Sequence, residues 1–290
     1  MSVVELAPLL QPSSRITTNF RSSPHNTLWV SMTKACVGEV QSFSLDLLSD
    51  LNVLYGTLRD GGMVWPSANT VQPIDYFVLK SAHPDYFSLG GDLTHFRECI
   101  RDGNRRSLRD YSMRCADMVL EWAEQANHTT TISLVQGRAL GGGFEAALAS
   151  DYLIAEEQSE FGLPEILFGL FPCTGGMSLL ARRIGIWQAE RMMRNGKIYP
   201  AAELLEMGIV DEICPRGQGV LAVEKFIADH RKHAPARLAL QRARSRLAPL
   251  NREELHRVVE DWVDIAMDLG EGDLRVMDML IQMQRAGTPA

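Results

Sequence analysis

Two glycine clusters and two glutamates are the residues of this sequence best suited to chemistry. The clusters lie in Phe87-Ser-Leu-Gly-Gly-Asp92 and in Gln136-Gly-Arg-Ala-Leu-Gly-Gly-Gly-Phe-Glu145. Each follows a predicted strand and opens a predicted helix, where unpaired backbone N–H groups point outward with the positive end of the helix dipole behind them. One N–H from each cluster, aimed at one oxygen, predicts an oxyanion hole for an enolate or a tetrahedral intermediate.

The glutamates accompany the glycines along the chain. Glu145 lies in the first turn of the helix after the triple glycine, and Glu165 follows in Phe161-Gly-Leu-Pro-Glu165. Two carboxyl groups beside an oxyanion hole can share proton abstraction and delivery next to a thioester or a similar carbonyl. Each alone also fits a structural role, Glu145 as a favourable charge near a helix N-terminus and Glu165 as a helix cap. The pair, taken with both glycine clusters, favours catalysis.

Strands and helices alternate along the part of the chain that carries these residues. Residues 1–27 are predicted to form an arm with a strand at Ile16 to Phe20, and residues 81–92 an irregular loop. Further strands are predicted at 28–32, 74–80, 130–136 and 152–156. Apolar residues three or four positions apart predict one face of a long helix: Val40, Phe43, Leu47, Leu51, Leu54 and Leu58.

This alternation predicts a layered α/β core with parallel strands and crossover helices, over residues 28–220. Residues 221–290 are predicted to contain helices alone, one of them with Trp262 on its apolar stripe. Such a stripe must be buried on the core or on a neighbouring subunit. The chain is therefore expected to form one functional unit, with an N-terminal arm and a C-terminal helical region.

Composition limits the class of protein. The chain of 290 residues is 46% hydrophobic and 22% charged, as ordinary globular proteins are, and its net charge of −7 argues against nucleic acid as a ligand. No apolar run approaches the ~18 residues of a membrane span. The five cysteines form no Cys-x-x-Cys pair, so a reducing, cytoplasmic compartment is expected.

Two other kinds of site fit parts of the pattern. Gly141-x-Gly143-x-x-Ala146 satisfies the dinucleotide fingerprint, with Glu165 near the offset of a ribose-binding acid, but it leaves the first glycine cluster unexplained. Cys173 is a conceivable covalent nucleophile, although no histidine has a suggestive spacing. The histidines form no convincing metal-ligand set, and His230 and His233 are predicted to lie on a solvated basic helix.

With these motifs in place, the sequence resembles the crotonase (enoyl-CoA hydratase/isomerase) superfamily. The resemblance spans residues 28–220 and rests on Gly-Gly-Asp, then Gly-x-Ala-Leu-Gly-Gly-Gly-x-Glu, then Phe-Gly-x-Pro-Glu, in that order. It implies a ββα spiral core of the α/β class followed by a C-terminal helical region that closes the acyl pocket and makes subunit contacts.

Within this superfamily the chain most resembles the synthases of diffusible signal factor, a cis-2-unsaturated fatty acid of bacterial quorum sensing. Stretches 134–148 and 162–168 carry this likeness, as do 262–270 and 273–278 in the helical tail. The resemblance implies two reactions: dehydration of a 3-hydroxyacyl thioester on acyl carrier protein to the cis-2-enoyl thioester, and hydrolysis to the free acid.

The resemblance also implies roles for the four residues at the centre of the pattern. Gly91 and Gly142 supply the N–H groups of the oxyanion hole, and Glu145 and Glu165 form the acid/base pair, with the part of each glutamate left open. Enolate formation and attack of water both build negative charge on the carbonyl oxygen, so one hole serves both steps.

Several residues depart from the common hydratase pattern or resemble pocket positions of the signal synthases. Leu89 stands where most hydratases have alanine, and Cys173 and Thr174 stand where many have small residues. Trp262 and Leu280 resemble residues that line the acyl pocket, and packing in the core at helical spacing is the alternative. All five are therefore candidate acyl-pocket residues.

The expected partners follow from the same resemblance. Acyl carrier proteins are acidic, so docking requires a local basic patch, for which the candidates are Arg101, Arg105, Arg106 and Arg109. No metal and no cofactor beyond the phosphopantetheine or CoA that carries the substrate is expected. A homotrimer or hexamer and a cognate sensor kinase are expected partners. The alternatives are a general enoyl-CoA hydratase/isomerase and a crotonase-like regulatory binding protein.

Overall fold

The computed structural model of the chain describes residues 14–33, 40–67, 70–125 and 129–286. The strands, in chain order, are β1 (Ile16–Arg21), β2 (Thr27–Met32), β3 (Val64–Ser67), β4 (Thr70–Pro73), β5 (Tyr76–Ser81), β6 (Tyr86–Ser88), β7 (Thr130–Val135), β8 (Arg138–Leu140), β9 (Tyr152–Glu156), β10 (Glu160–Gly162), β11 (Ile198–Pro200) and β12 (Glu212–Cys214).

The helices surround these strands, and a 3₁₀ helix at Pro164–Phe168 lies between β10 and the fifth of them. Their bounds are α1 (Leu45–Asp60), α2 (Leu93–Arg101), α3 (Arg105–Gln125), α4 (Gly142–Leu148), α5 (Gly176–Ile184), α6 (Ile186–Asn195), α7 (Ala201–Glu206), α8 (Gly219–Arg231), α9 (Ala234–Leu247), α10 (Arg252–Met267) and α11 (Glu271–Ala286). No helix among the described residues combines the length and the apolar character needed to cross a bilayer.

The sheets confirm the predicted α/β class. The main sheet has the order β1-β2-β5-β7-β9-β12; β1 and β2 are antiparallel, and every other neighbouring pair is parallel. A second sheet, β11-β10-β8-β6, carries the segments that lead into both glycine clusters. All six residues of β7 are buried, as expected for a central parallel strand with both faces covered.

The first long helix begins later than its apolar spacing predicts. Ser44 caps α1 by accepting a hydrogen bond from the N–H of Leu47 at 3.2 Å, so Val40 and Phe43 lie before the helix and the prediction that they share its face is wrong. Phe43 instead forms a parallel bridge with Gly91. Its apolar ring is buried in either arrangement, so spacing alone could not separate the two.

Two local predictions need correction, and one hairpin was not predicted. Residues 81–92 are not irregular throughout, because β6 lies within them, and β3 with β4 forms an unpredicted antiparallel hairpin. His230 is not solvated: its side chain is buried, and Nδ1 lies 3.0 Å from the Tyr76 hydroxyl. Burial lowers the pKa of His230 to about 4. Cys36, His128 and residues 1–13 of the predicted arm lie outside the described residues.

The C-terminal helices cover the core on the side of the glycine clusters. Helix α10 packs on α3, and α11 packs on α2 and on the 3₁₀ helix. The Trp262 indole, on α10, meets the Phe96 ring of α2 edge to face with centroids 5.1 Å apart. Arg97 of α2 and Asp278 of α11 form an ion pair at 3.0 Å. Helices α10 and α11 thereby cover the region between the glycine clusters.

Candidate active site

Hydrogen bonds to the segment before α1 hold the first glycine cluster in place. The N–H of Phe43 donates to the carbonyl of Gly90 at 2.8 Å, and the N–H of Leu89 donates to the carbonyl of Gln41 at 2.7 Å. Gly90 has a φ of +88°, and a Cβ there would lie 2.8 Å from the carbonyl oxygen of Leu140. Only glycine fits at this position without displacing backbone.

The two glycine clusters meet at their N–H groups. A Cβ on Gly142 would lie 3.7 Å from the backbone nitrogen of Gly91, so the two residues are neighbours in space. Gly142 is the first residue of α4, where the backbone N–H has no partner inside the helix. Across the described ranges of the chain, neither the N–H of Gly91 nor that of Gly142 donates a hydrogen bond. Both residues line the same cavity.

We predict that Gly90→Ala lowers the free energy of unfolding by about 3 kcal/mol or more, because it adds backbone strain to a contact with fixed backbone atoms. Gly103→Ala is the matched control, since Gly103 also has a positive φ (+64°) but nothing lies within 4 Å of a Cβ there. The control is expected to lose only about 1 kcal/mol. Urea unfolding of both variants measures the difference, and equal losses would show that close contact at Gly90 is not the cause.

Glu145 is a buried carboxylate with three hydrogen-bond donors. Its Oε1 accepts from the N–H of Gly176 at 2.6 Å and of Thr174 at 2.9 Å, and its Oε2 accepts from the Thr174 hydroxyl at 2.5 Å. Burial raises the pKa of Glu145, and these three hydrogen bonds act against that effect by stabilising the ionised form. Glu145 is thus held in one orientation.

Glu165 has the opposite environment. Oε2 is buried and has no hydrogen-bond partner among the described residues, although the residue as a whole is partly exposed. Burial, followed by the nearby charge of Glu145, raises the pKa of Glu165 to about 8. Its Oε1 would lie 2.6 Å from a Cβ on Gly141, whose φ is +52°, so the glycine makes room for the carboxyl group. Glu165 is therefore mainly protonated at neutral pH.

Two cavities adjoin these groups. The outer one, of about 410 Å³, has a largely apolar lining, and the inner one, of about 40 Å³, lies against both glutamates. The residues that line both cavities form the boundary between them: Gly91, Phe96, Glu165 and Trp262. Gly91 and Glu165 thus lie where the two cavities adjoin.

The candidate acyl-pocket residues divide between the two chambers. Leu89 and Leu280 line the outer cavity, and Cys173 and Thr174 line the inner one. Trp262 lines both while its indole also packs on Phe96. Sequence reasoning did not place other residues of the inner wall in the cavity: Phe43, Phe96, Tyr111, Cys115, Met118 and Val119. Helical spacing marks burial but does not tell a cavity wall from solid core.

The environment of Cys173 disfavours covalent catalysis by its thiol. Burial, with the charge of Glu145 as the next cause, raises the pKa of Cys173 well above its ordinary value, so the reactive thiolate is suppressed. Among the described residues, no three His, Cys, Asp or Glu side chains cluster as a metal site would require.

The four candidate docking arginines lie outside the linings of both cavities. Arg101 ends α2 and the others lie at the start of α3, all with exposed side chains. Each guanidinium lies within 4 Å of an acidic side chain, and both Arg105 and Arg109 have acidic partners on α10. These ion pairs neutralise much of the local positive charge, and docking of a carrier protein there stays a prediction.

Comparison with known proteins gives a consistent result. A family model described as enoyl-CoA hydratase/isomerase matches residues 62–258. The peroxisomal bifunctional enzyme of Danio rerio is 37% identical over 102 residues, which are 35% of this chain and only 14% of that protein. The matching part is therefore a small portion of that relative.

Solved structures extend the likeness to almost the whole chain. An enoyl-CoA hydratase from Bacillus halodurans is similar with a TM-score of 0.71 and 25% identity, covering 91% of this chain and 98% of the other. DspI of Pseudomonas aeruginosa has a TM-score of 0.64 at 24% identity, covering 93% and 99% of the two chains. At this identity, the similarity to DspI shows a shared fold.

Proposed function

The chain belongs to the enoyl-CoA hydratase/isomerase family, and from this premise we propose that it interconverts 3-hydroxyacyl and 2-enoyl thioesters. One observation carries the proposal: two buried carboxyl groups of unequal proton affinity, Glu145 and Glu165, share a cavity with the backbone N–H groups of Gly91 and Gly142. The catalysed step needs one acid, one base and a stabilised oxyanion, and this site offers all three.

The two N–H groups act on the thioester oxygen. When water adds to C3 of the enoyl group, negative charge moves to this oxygen as the enolate forms, and Gly91 and Gly142 donate hydrogen bonds to it. Neither N–H has to give up a partner within the described chain first. The hole is therefore organised before the charge develops.

The glutamates move the two protons. In hydration, ionised Glu145 accepts a proton from the attacking water, and neutral Glu165 delivers its proton to C2 of the enolate. Dehydration runs through the same steps in reverse, so the active form in both directions is the pair holding one proton. Since the pKa of Glu165 is raised to about 8, kcat/KM is expected to fall as the pH rises above about 8.

We further propose that the physiological reaction is dehydration of a 3-hydroxyacyl thioester on acyl carrier protein to the cis-2-enoyl form, followed by hydrolysis to a free cis-2-enoic signal acid. The tetrahedral intermediate of hydrolysis places its oxyanion where the enolate oxygen stood, so the same N–H groups serve it. The likeness of residues 262–270 and 273–278 to the signal synthases supports this finer proposal, because most of these residues belong to α10 and α11, which contribute to the cavity walls.

Product analysis tests both levels of the proposal. The purified protein is incubated with 3-hydroxyacyl-carrier-protein and, separately, with 2-enoyl-CoA over a series of chain lengths, and thioesters and free acids are separated by mass spectrometry. Free cis-2-enoic acid supports the synthase. A reversible trans-2-enoyl thioester without acid release supports a general hydratase and overturns the synthase. If no thioester is converted, the result supports the alternative that the protein is a regulatory binding protein.

A further inference from the structure

The hydroxyl of Tyr111 joins the two backbone segments on either side of the first glycine cluster. It donates to the carbonyl oxygen of Phe43 at 2.6 Å and accepts from the N–H of Asp92 at 2.9 Å. The side chain comes from α3, far away in sequence, and is only 2% exposed. A single phenol oxygen thus connects three separate parts of the chain.

This hydroxyl occupies a defined place in the backbone pairing. Phe43 and Gly91 form an isolated parallel bridge, in which Phe43 donates to Gly90 on one side. In such a bridge the second hydrogen bond runs from the residue after Gly91, which is Asp92, to the carbonyl of Phe43. The Tyr111 hydroxyl bonds to both ends of that connection.

The pairing fixes the direction of the Gly91 amide. The carbonyl of Gly90 accepts from Phe43 and belongs to the same trans peptide group as the N–H of Gly91, so this N–H points in the opposite direction, away from Phe43. That direction leads to the cavity that Gly91 shares with Gly142 and both glutamates. The position of the Gly91 N–H therefore depends on how firmly Asp92 is held.

Other contacts of Tyr111 support this arrangement. Its ring packs edge to face on Phe96 with centroids 5.4 Å apart, and the Phe96 ring lies directly under Gly91, 2.6 Å from where a Cβ would stand. Asp92 also caps α2 by accepting from the N–H of His95 at 3.1 Å. Burial raises the pKa of Tyr111 well above its ordinary value, so the phenol stays neutral and can both donate and accept.

We propose that Tyr111 is a positioning residue of the oxyanion hole: its hydroxyl sets the place and direction of the Gly91 N–H by holding Phe43 and Asp92. This inference rests on the proposed function of the hole. The hydroxyl itself transfers no proton to the substrate. Without it, the N–H of Asp92 and the carbonyl of Phe43 lose their shared partner, and the bridge that places Gly91 is held less firmly.

The test compares Tyr111→Phe with Tyr55→Phe. Tyr55 is a matched control because it is fully buried and, within the described chain, its hydroxyl has no hydrogen-bond partner. Tyr111→Phe is expected to lower kcat by about 10- to 100-fold while KM stays within about threefold, since misplacement by ~1 Å costs this much in the transition state. Tyr55→Phe is expected to keep kcat within about twofold.

A second measurement needs no turnover. A 3-ketoacyl thioester bound in a working oxyanion hole shifts toward its enolate, which absorbs in the near ultraviolet. The bound enolate fraction is expected to fall about 10-fold or more in Tyr111→Phe and to stay unchanged in Tyr55→Phe. A purely structural role of Tyr111 would lower stability without changing this fraction in the folded protein.

The two readouts separate failure of the inference from failure of the proposed function. Both are made at a temperature where circular dichroism shows every variant folded. Unchanged kcat and unchanged enolate fraction in Tyr111→Phe would overturn the positioning role. Natural protein that forms the enolate but converts no thioester would overturn the proposed function, while the enolate fraction still decides on Tyr111. Natural protein that neither forms the enolate nor converts a thioester would overturn both.

Discussion

Glutamine in place of Glu165 is expected to lower kcat for the interconversion of 3-hydroxyacyl and 2-enoyl thioesters by about 10²- to 10⁴-fold. Glutamine keeps the size of the side chain but carries no transferable proton, so the proton to or from C2 has no carrier. Glu145→Gln is expected to have an effect of the same order, because the base for water is lost, while the glutamine carbonyl oxygen can still accept from the N–H groups of Thr174 and Gly176.

The measurement is the initial rate of absorbance change of an enoyl thioester, with Glu157→Gln as the control. Glu157 is exposed and lies in the turn after β9, outside both cavity linings, so this variant is expected to retain full activity. The acid/base assignment would be refuted by a Glu165→Gln enzyme that is nearly as fast as the control. A loss confined to Glu145→Gln would make Glu145 the single catalytic carboxylate.

Glu165→Gln is also expected to stabilise the fold at neutral pH. The pKa of Glu165 is about 8 in the folded protein against an ordinary value of 4.5, so between these values the native state keeps a proton that the unfolded chain releases. The free energy of unfolding therefore contains a contribution that is fully present below pH 4.5 and is lost as the pH rises through about 8.

Because glutamine does not titrate, the variant escapes this loss. It is expected to exceed the natural protein in free energy of unfolding by about 2 to 3 kcal/mol at pH 7 and by about 1 kcal/mol at pH 5. The lower end of the range at pH 7 allows for solvent that reaches this partly exposed residue. Burial of the Glu165 carboxyl group thus destabilises the fold at neutral pH, as is common for groups that serve catalysis.

Urea unfolding at the two pH values checks this expectation, again beside Glu157→Gln. The exposed control is expected to differ little from the natural protein in free energy of unfolding. A stability gain for Glu165→Gln that does not grow between pH 5 and pH 7 would contradict the raised pKa. Loss of activity together with this gain in stability would show that the buried carboxyl group of Glu165 destabilises the fold and is needed for catalysis.

The sequence by itself determined the class of the fold and the identity of the residues that meet at the site. The alternation of strands and helices predicted the α/β core, and the structure confirms it. The glycine clusters and the two glutamates were visible because each is a local pattern: a strand, a tight turn and the first turn of a helix. Residues that are close together in the sequence determine local geometry of that kind.

Only the tertiary structure decided the state of those residues. The different proton affinities of Glu145 and Glu165 arise because Thr174 and Gly176 reach one carboxyl group and no donor reaches Oε2 of the other among the described residues. Pairing of Phe43 with Gly91 and burial of His230 against Tyr76 likewise join positions far apart in the chain. Desolvation and hydrogen bonding depend on which distant segments pack together. The spacing of side chains along one helix or strand does not show which other elements will pack against it.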